Sequence, residues 1–301
     1  MFKMNSNDHK ILEAIAEFRI LTPTQIAAFY QKSKQVVWRR LRVLEKEGLI
    51  QPIKREFGRS RGRPENSLGL TESGVKILKE KGVVGRKVPY EKVGAVTIHR
   101  IDHQLLLNWF RIHLNHIEKT LPRINVELLT YNSPFLPKCP NDRIFITDFL
   151  PCSDNERGVK FTPDAVFYTH DSITDKTCLF FLEVDCGTET IASPKRDMTD
   201  IRQKISNYGA YFDSLRYKRY EDVFKHSLNG FRLLFLTNTP GRLVALCKLA
   251  QEMQSTDFIW FTDYNSILER GVSDKIWVKG GYLQCPRHSI LGSLSYKTQL
   301  D

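Results

Sequence analysis

Apolar positions recur along the first eighty residues with the spacing of short helices. Ile11, Leu12, Ile15 and Phe18 form a helical stripe over Asp8 to Phe18. A second helix is expected from Leu21 to Tyr30, with Thr22 as N-cap and Pro23 at the first position, where proline sacrifices no hydrogen bond. After a break at Gln31 and Lys32 comes a third, with Ser33 as N-cap and Gly48 as the C-terminal stop. In it Val37, Leu41 and Leu44 face a core, which leaves Lys34, Gln35, Trp38, Arg39 and Arg42 on the opposite side. Leu49 to Ile53 then reads as a strand, Lys54 to Glu65 as a basic loop and Asn66 to Leu70 as the returning strand. Thr71 to Glu80 closes the segment as a helix.

Beyond this the pattern changes. From Lys81 to Val96 glycine, valine and lysine dominate, so residues 83–98 are expected to be a linker between a domain at 1–82 and another at 99–301. His99 to Leu121 is a long amphipathic helix carrying Ile101, Leu105, Leu106, Trp109 and Ile112. Ile124 to Leu129, Phe161 to Tyr168 and Cys178 to Val184 read as strands, with a loop over Tyr131 to Asp142 and no assignment for 143–160. Pro194 to Leu215 is expected to be a helix, Phe231 to Thr237 a buried strand, Arg242 to Met253 a helix and Phe258 to Phe261 a final strand. Together these predict a two-domain α/β protein whose second domain is layered around a mixed sheet.

Charge sharpens the division. Residues 1–100 hold 21 Lys+Arg and 10 Asp+Glu, a balance of 21 − 10 = +11, and the remainder holds 24 − 24 = 0. The whole excess therefore sits in the first hundred residues, which contain the first domain, as expected of a module that binds a polyanion. The third helix offers long donors for phosphates and base edges and few acids to repel them, which suits a DNA major groove. Lys34, Arg39, Arg55 and Arg59 are expected on phosphates, and Gln35, Trp38, Arg42, Arg61 and Arg63 in base or groove reading. No apolar run approaches the ~20 residues of a membrane span and Met1 to Asn7 carries no hydrophobic signal region, so a cytoplasmic protein is expected. The six cysteines lack any CxxC pair, which predicts reduced thiols rather than a zinc site. His99, His103, His113 and His116 stand at i,i+4 and i,i+3 spacing without the acid of an HExxH site, and are read as packing against a partner domain.

Several phrases carry resemblances. Leu44-Glu45-Lys46-Glu47-Gly48-Leu49-Ile50 and Leu70-Thr71-Glu72-Ser73-Gly74 resemble the exit from the recognition helix and the entry to the last helix of winged-helix DNA-binding domains. Arg61-Gly62-Arg63-Pro64 resembles the core of an AT-hook, whose arginines enter a narrow minor groove, although Ser60 stands where the hook usually has proline. Pro163-Asp164 followed by Glu183 resembles the PD-(D/E)xK motif of restriction-endonuclease-like folds, with Glu127 in the place of an early acid. That resemblance implies Asp164 and Glu183 as ligands of Mg²⁺, with Asp185 assisting. The motif lysine is replaced by Asp185; Lys204, with Tyr208, is the substitute expected to orient water or phosphate, and Lys195 is nearer in sequence. With that lysine gone the domain is also open to a degenerate reading that needs no cofactor. Taken whole, the winged start, IHRIDHQLLLNWF and TPDAVF, FFLEVDCGTE and KISNY resemble the replication-relaxation family of plasmids and other mobile elements.

The leading expectation is a protein that recognises double-stranded DNA and acts in replication, mobilisation or transcriptional control. The rival is a Mg²⁺-dependent DNA endonuclease. A third reading has the near-neutral C-terminal half bind another protein. A homodimer on a palindromic site is also expected, because one recognition helix and wing cover few base pairs; the helix from His99 to Leu121 is the candidate seam.

Overall fold

The short helices at the N-terminus are fixed locally by their caps. In this computed structural model, which describes residues 3–53, 65–94, 100–130, 145–152, 155–193 and 200–297, α1 (Ser6–Phe18) opens with a capping box. The Asn5 side chain accepts from the Asp8 amide, and the Asp8 carboxylate accepts from the Asn5 amide. Thr22 and Gln25 do the same for α2 (Pro23–Tyr30), where Pro23 sits in the first turn. Helix α3 (Lys34–Lys46) begins at Ser33, which stands at the N-cap position but makes no side-chain capping bond.

Two glycines explain the phrases that mark this segment. Gly48 has φ +67°, a left-handed conformation open to glycine, and turns the chain from α3 into β1 (Ile50–Ile53). β1 pairs antiparallel with β2 (Ser67–Leu70), and Leu21 adds a bridge to Leu68, giving a small third edge. Thr71 then caps α4 (Glu72–Glu80), and Gly74 passes so close to the Leu49 carbonyl that a Cβ there would overlap its oxygen. Helix, turn, helix, hairpin and helix in this order make a winged helix-turn-helix.

Among the described residues the chain divides into two compact units, the first running to Ile112 and the second beginning at His113. Residues 83–94 pack on the first unit's core: Val84 and Val93 are buried in it, the Tyr90 hydroxyl donates to the Leu70 carbonyl at 3.0 Å, and Arg19 donates to the Glu91 carbonyl. The first turns of α5 (Ile101–Thr120) belong to the same unit. Gln104 and Asn108 donate to the Phe18 carbonyl, Asn108 also to that of Ile20, and Arg111 pairs with Glu17 while lying over the Phe18 ring. The apolar residues of α5 are consumed in this chain: Leu105, Leu106, Leu107, Phe110, Ile112, Leu114 and Ile117 are all buried. The helix therefore does not present the dimer seam expected of it, because its apolar stripe runs around most of its circumference and packs within the chain.

The second unit holds a six-stranded sheet in the order β10-β9-β8-β7-β6-β3. β3 (Ile124–Thr130), β6 (Ala165–Asp171) and β7 (Lys176–Asp185) are antiparallel neighbours; β8 (Phe231–Thr237) and β9 (Ile259–Asp263) run parallel to β7, and β10 (Val278–Lys279) is antiparallel at the edge. Residues 143–160, unassigned from sequence, include a separate hairpin of β4 (Asp148–Cys152) and β5 (Asn155–Phe161), so Phe161 ends β5 rather than beginning β6. The helix expected over Pro194 to Leu215 is α6 (Ile201–Asp213), started by Asp200, whose carboxylate accepts from the Gln203 amide. Short α7 (Glu221–Phe224), α8 (Pro240–Gln251) and α9 (Tyr264–Arg270) complete the unit. The sheet extends past the strand expected to be last, since β10 follows α9. Phe181, Phe231, Tyr208, Tyr211 and Tyr220 interlock in edge-to-face and tilted ring contacts under α6 and fix its position over β7.

Candidate nucleic-acid interface and carboxylate site

Helix α3 separates its two faces cleanly. Val37, Leu41 and Leu44 are buried, whereas Lys34, Gln35, Trp38, Arg39 and Arg42 are all exposed. Gln35, Trp38, Arg39 and Arg42 line an open recess of about 590 Å³. No acid occurs between Lys34 and Leu44 to weaken the positive field of this face. Arg40, on the flank, serves the fold instead, since its guanidinium pairs bidentately with the buried carboxylate of Asp8 and ties α3 to α1. Arg55, Arg59, Arg61 and Arg63 lie outside the described residues.

In the second unit the antiparallel register sets the carboxylates together. The Asp164 amide donates to the Leu182 carbonyl and Ala165 pairs with Leu182, which brings Asp164 alongside Glu183. Asp164 Oδ2 accepts from the Val184 amide at 2.8 Å. Glu183 is buried and fully engaged: Oε1 accepts from the Tyr208 hydroxyl at 2.6 Å and Oε2 from Lys204 Nζ at 3.2 Å. Lys204 also donates to Glu189 Oε2 at 2.9 Å, so one ammonium bridges two carboxylates. Lys204 and Tyr208 are one helical turn apart on α6, which is how both reach the same acid.

The electrostatics follow from burial. Desolvation raises the Glu183 carboxyl, the neighbouring Asp164 charge adds to it, and Lys204 and Tyr208 oppose it, leaving it at about 7. Burial works against the Lys204 charge, but Glu183 and Glu189 outweigh it and hold its pKa above the ordinary lysine value. Tyr208 is likewise driven well above a normal phenol, first by burial and then by Glu183.

Asp185 stands apart from this group. Arg242, in the first turn of α8, donates from Nε to Asp185 Oδ2 at 2.5 Å and from Nη2 to Oδ1 at 3.2 Å, and also reaches the Glu189 carbonyl at 2.6 Å. Glu127 does not join the carboxylates either. It pairs across from Tyr168, four residues along β6 from Asp164, because the register puts Thr130, not Glu127, opposite Ala165 beside Asp164. Lys195 lies outside the described residues. His113 and His116 are buried, and desolvation followed by the His116 charge lowers the His113 pKa to about 4.

In this arrangement the two acids that would hold a divalent ion, Asp164 and Glu183, accept hydrogen bonds from protein donors. Both Glu183 oxygens already accept hydrogen bonds, Asp185 is neutralised by arginine, and among the described residues no group of three acids, histidines or cysteines is placed to hold a metal. Two residues of the site were not singled out from sequence, Glu189 and Arg242. Neither carries a local signal in the sequence: Arg242 reaches Asp185 only through the parallel register of β7 and β8, which aligns Asp185 with Thr237, five residues before Arg242 at the start of α8.

A winged helix-turn-helix with an exposed basic face on α3, carried with an α/β unit that gathers acids at one strand end, defines a class of bipartite proteins. The chain belongs to the replication-relaxation family, which matches residues 12–226. That match takes in α3 and the Asp164, Glu183 and Lys204 group, and it ends before Arg242. Among solved structures, a Lactococcus lactis ZitR double mutant is similar at 26% identity over 27% of this chain and 53% of that one, with a TM-score of 0.24. This chain thus spans about half the length of that protein. Comparison with curated proteins gives no significant match. Among the described residues no helix is long and apolar enough to cross a membrane.

Proposed function

We propose that this protein binds duplex DNA of a plasmid or other mobile element through the exposed face of α3, in the replication, mobilisation or transcriptional control of that element. The observation that carries this reading is the joint exposure of Lys34, Gln35, Trp38, Arg39 and Arg42, the last four around one recess, with Val37, Leu41 and Leu44 turned inward. The replication-relaxation membership agrees with it. In this reading the α/β unit is nuclease-like in its order of helix, three antiparallel strands, helix and parallel strand, and degenerate at its acids. Pairing of two copies on an inverted repeat belongs to the same proposal. Fluorescence anisotropy with a labelled duplex tests it: with about six phosphates neutralised, log K falls against log salt with a slope near −5. An affinity unchanged from low to high salt refutes it, and a footprint without dyad symmetry removes the paired form.

One observation favours a second reading, metal-dependent DNA cleavage. Lys204 Nζ sits 3.2 Å from Glu183, where a lysine transplanted from the strand to the helix would serve. Incubating the protein with supercoiled plasmid and Mg²⁺ or Mn²⁺ separates the readings. Nicking that is lost in Asp164→Ala while duplex binding persists would establish the second.

A further inference from the structure

We propose that Trp38 reads the C5-methyl group of thymine in the major groove, next to an adenine contact from Gln35. The inference rests on the duplex-binding reading above and names what that face selects. Trp38 is 41% exposed, whereas Trp277 is fully buried and Trp260 is 9% exposed. An indole left in water on a helix whose other apolar residues are mostly buried has a surface to give to a partner. Its immediate surroundings are Gln35, Arg39 and Arg42, which line the same recess of about 590 Å³. The partner must therefore be anionic, rich in hydrogen-bonding edges and apolar at one point.

Duplex DNA meets all three conditions in one groove. Its phosphates answer the arginines, the base edges answer the glutamine, and the one apolar group displayed there is the thymine methyl. The deep, narrow major groove of A-form RNA does not admit a helix. Gln35 and Trp38 are three residues apart on α3, so they lie on neighbouring rows of the same face. Both fall in the N-terminal half of the helix, the half that meets base edges in helix-turn-helix docking. Gln35 is suited to the adenine N6 and N7 atoms. Trp38 beside it then covers the methyl of the same A·T pair or of the next one. Val36, also exposed at 49%, points to the other flank of the basic stripe and takes no part.

The test uses the full-length chain. A preferred duplex is selected from a randomised library, and each thymine in it is replaced singly by deoxyuridine, which differs only in lacking the methyl. Burial of one such carbon is worth about 0.8 kcal/mol, or roughly a fourfold change in Kd. One or two positions should therefore show a thymine-to-uracil ratio of about four. In Trp38→Ala that ratio should fall to about one, whatever its absolute affinity, and in Val36→Ala it should persist. A wild-type ratio of one at every thymine overturns the inference while leaving duplex binding in place, and so does a ratio that survives in Trp38→Ala. Absence of salt-dependent binding to any duplex removes both.

Discussion

Arg242 holds Asp185 in a two-point ion pair at the end of β7, on the residue where the resemblance to a nuclease motif would have placed a lysine. The charge pattern is thereby inverted: a carboxylate on the strand and a cation supplied by a later helix. Arg242 also binds the Glu189 carbonyl, and Glu189 in turn holds Lys204, so the pair steadies the loop that positions the lysine.

Asp185→Ala should therefore destabilise the protein by about 2–4 kcal/mol, since it strands a largely buried guanidinium. The double variant Asp185→Ala/Arg242→Ala should lose less than the sum of the single variants, with a coupling of about 1–3 kcal/mol. Urea unfolding of the four proteins measures this cycle, and strict additivity would show that the pair does not act as a unit.

The buried Glu183 carboxyl predicts a pH dependence. Its folded pKa of about 7 lies above the ordinary value of 4.5. The native state thus holds an extra proton between these values. Its contribution is fully present below about pH 4.5 and is lost as pH rises through about 7, to at most the order of 3 kcal/mol. Glu183→Gln should flatten the slope of unfolding free energy between pH 5 and 8. An identical slope in wild type and variant would place the titration elsewhere.

On α3, Arg39→Ala and Arg42→Ala should have different signatures. Loss of a phosphate contact at Arg39 lowers affinity for all duplexes alike and reduces the magnitude of the salt slope by about 1. Loss of a base contact at Arg42 costs about 1–3 kcal/mol on the preferred duplex and much less on a random one. Anisotropy titrations on both duplexes separate the two roles, and equal losses everywhere for Arg42→Ala would reassign it to the backbone.

Gly74→Ala should cost about 2–3 kcal/mol, because its methyl would overlap the Leu49 carbonyl oxygen and backbone must move to receive it. Gly48→Ala should cost about 1 kcal/mol, since nothing crowds the site and only the left-handed φ resists. Thermal unfolding followed by circular dichroism ranks the two, and the reverse order would show that conformation outweighs contact here.

The winged segment was legible because its signals are local. Caps such as Thr22 and Thr71, a proline at a helix start and Gly48 at a helix end act within a few residues, and the apolar spacing of Val37, Leu41 and Leu44 is complete within one helix. Ser33 shows the limit, since its identity suits a cap that its side chain does not make. The strand pairing of Asp164 with Glu183 was legible as well, because buried apolar runs flank each acid, whereas Lys204 and Tyr208 were expected near them only from the resemblance to a nuclease motif. Glu127 misled because the alternation of a strand is visible in its residues but its register is not. Arg242 and Glu189 reach the site through a parallel crossover and a loop, contacts with no local period. The hairpin of β4 and β5 went unassigned, as short strands with charged residues leave little alternation to detect.

The packing of residues 84–94 and 100–112 onto the winged core also governs how this protein can be divided. A fragment cut at residue 82 would strip Val84, Val93 and Ile112 from the core, leave the Leu70 carbonyl without Tyr90 and deprive the Phe18 carbonyl of Gln104 and Asn108. Uncovered apolar surface beside unsatisfied carbonyls is a recipe for inclusion bodies. A piece carried through Ile112 retains those partners and is the shorter form to produce as soluble material.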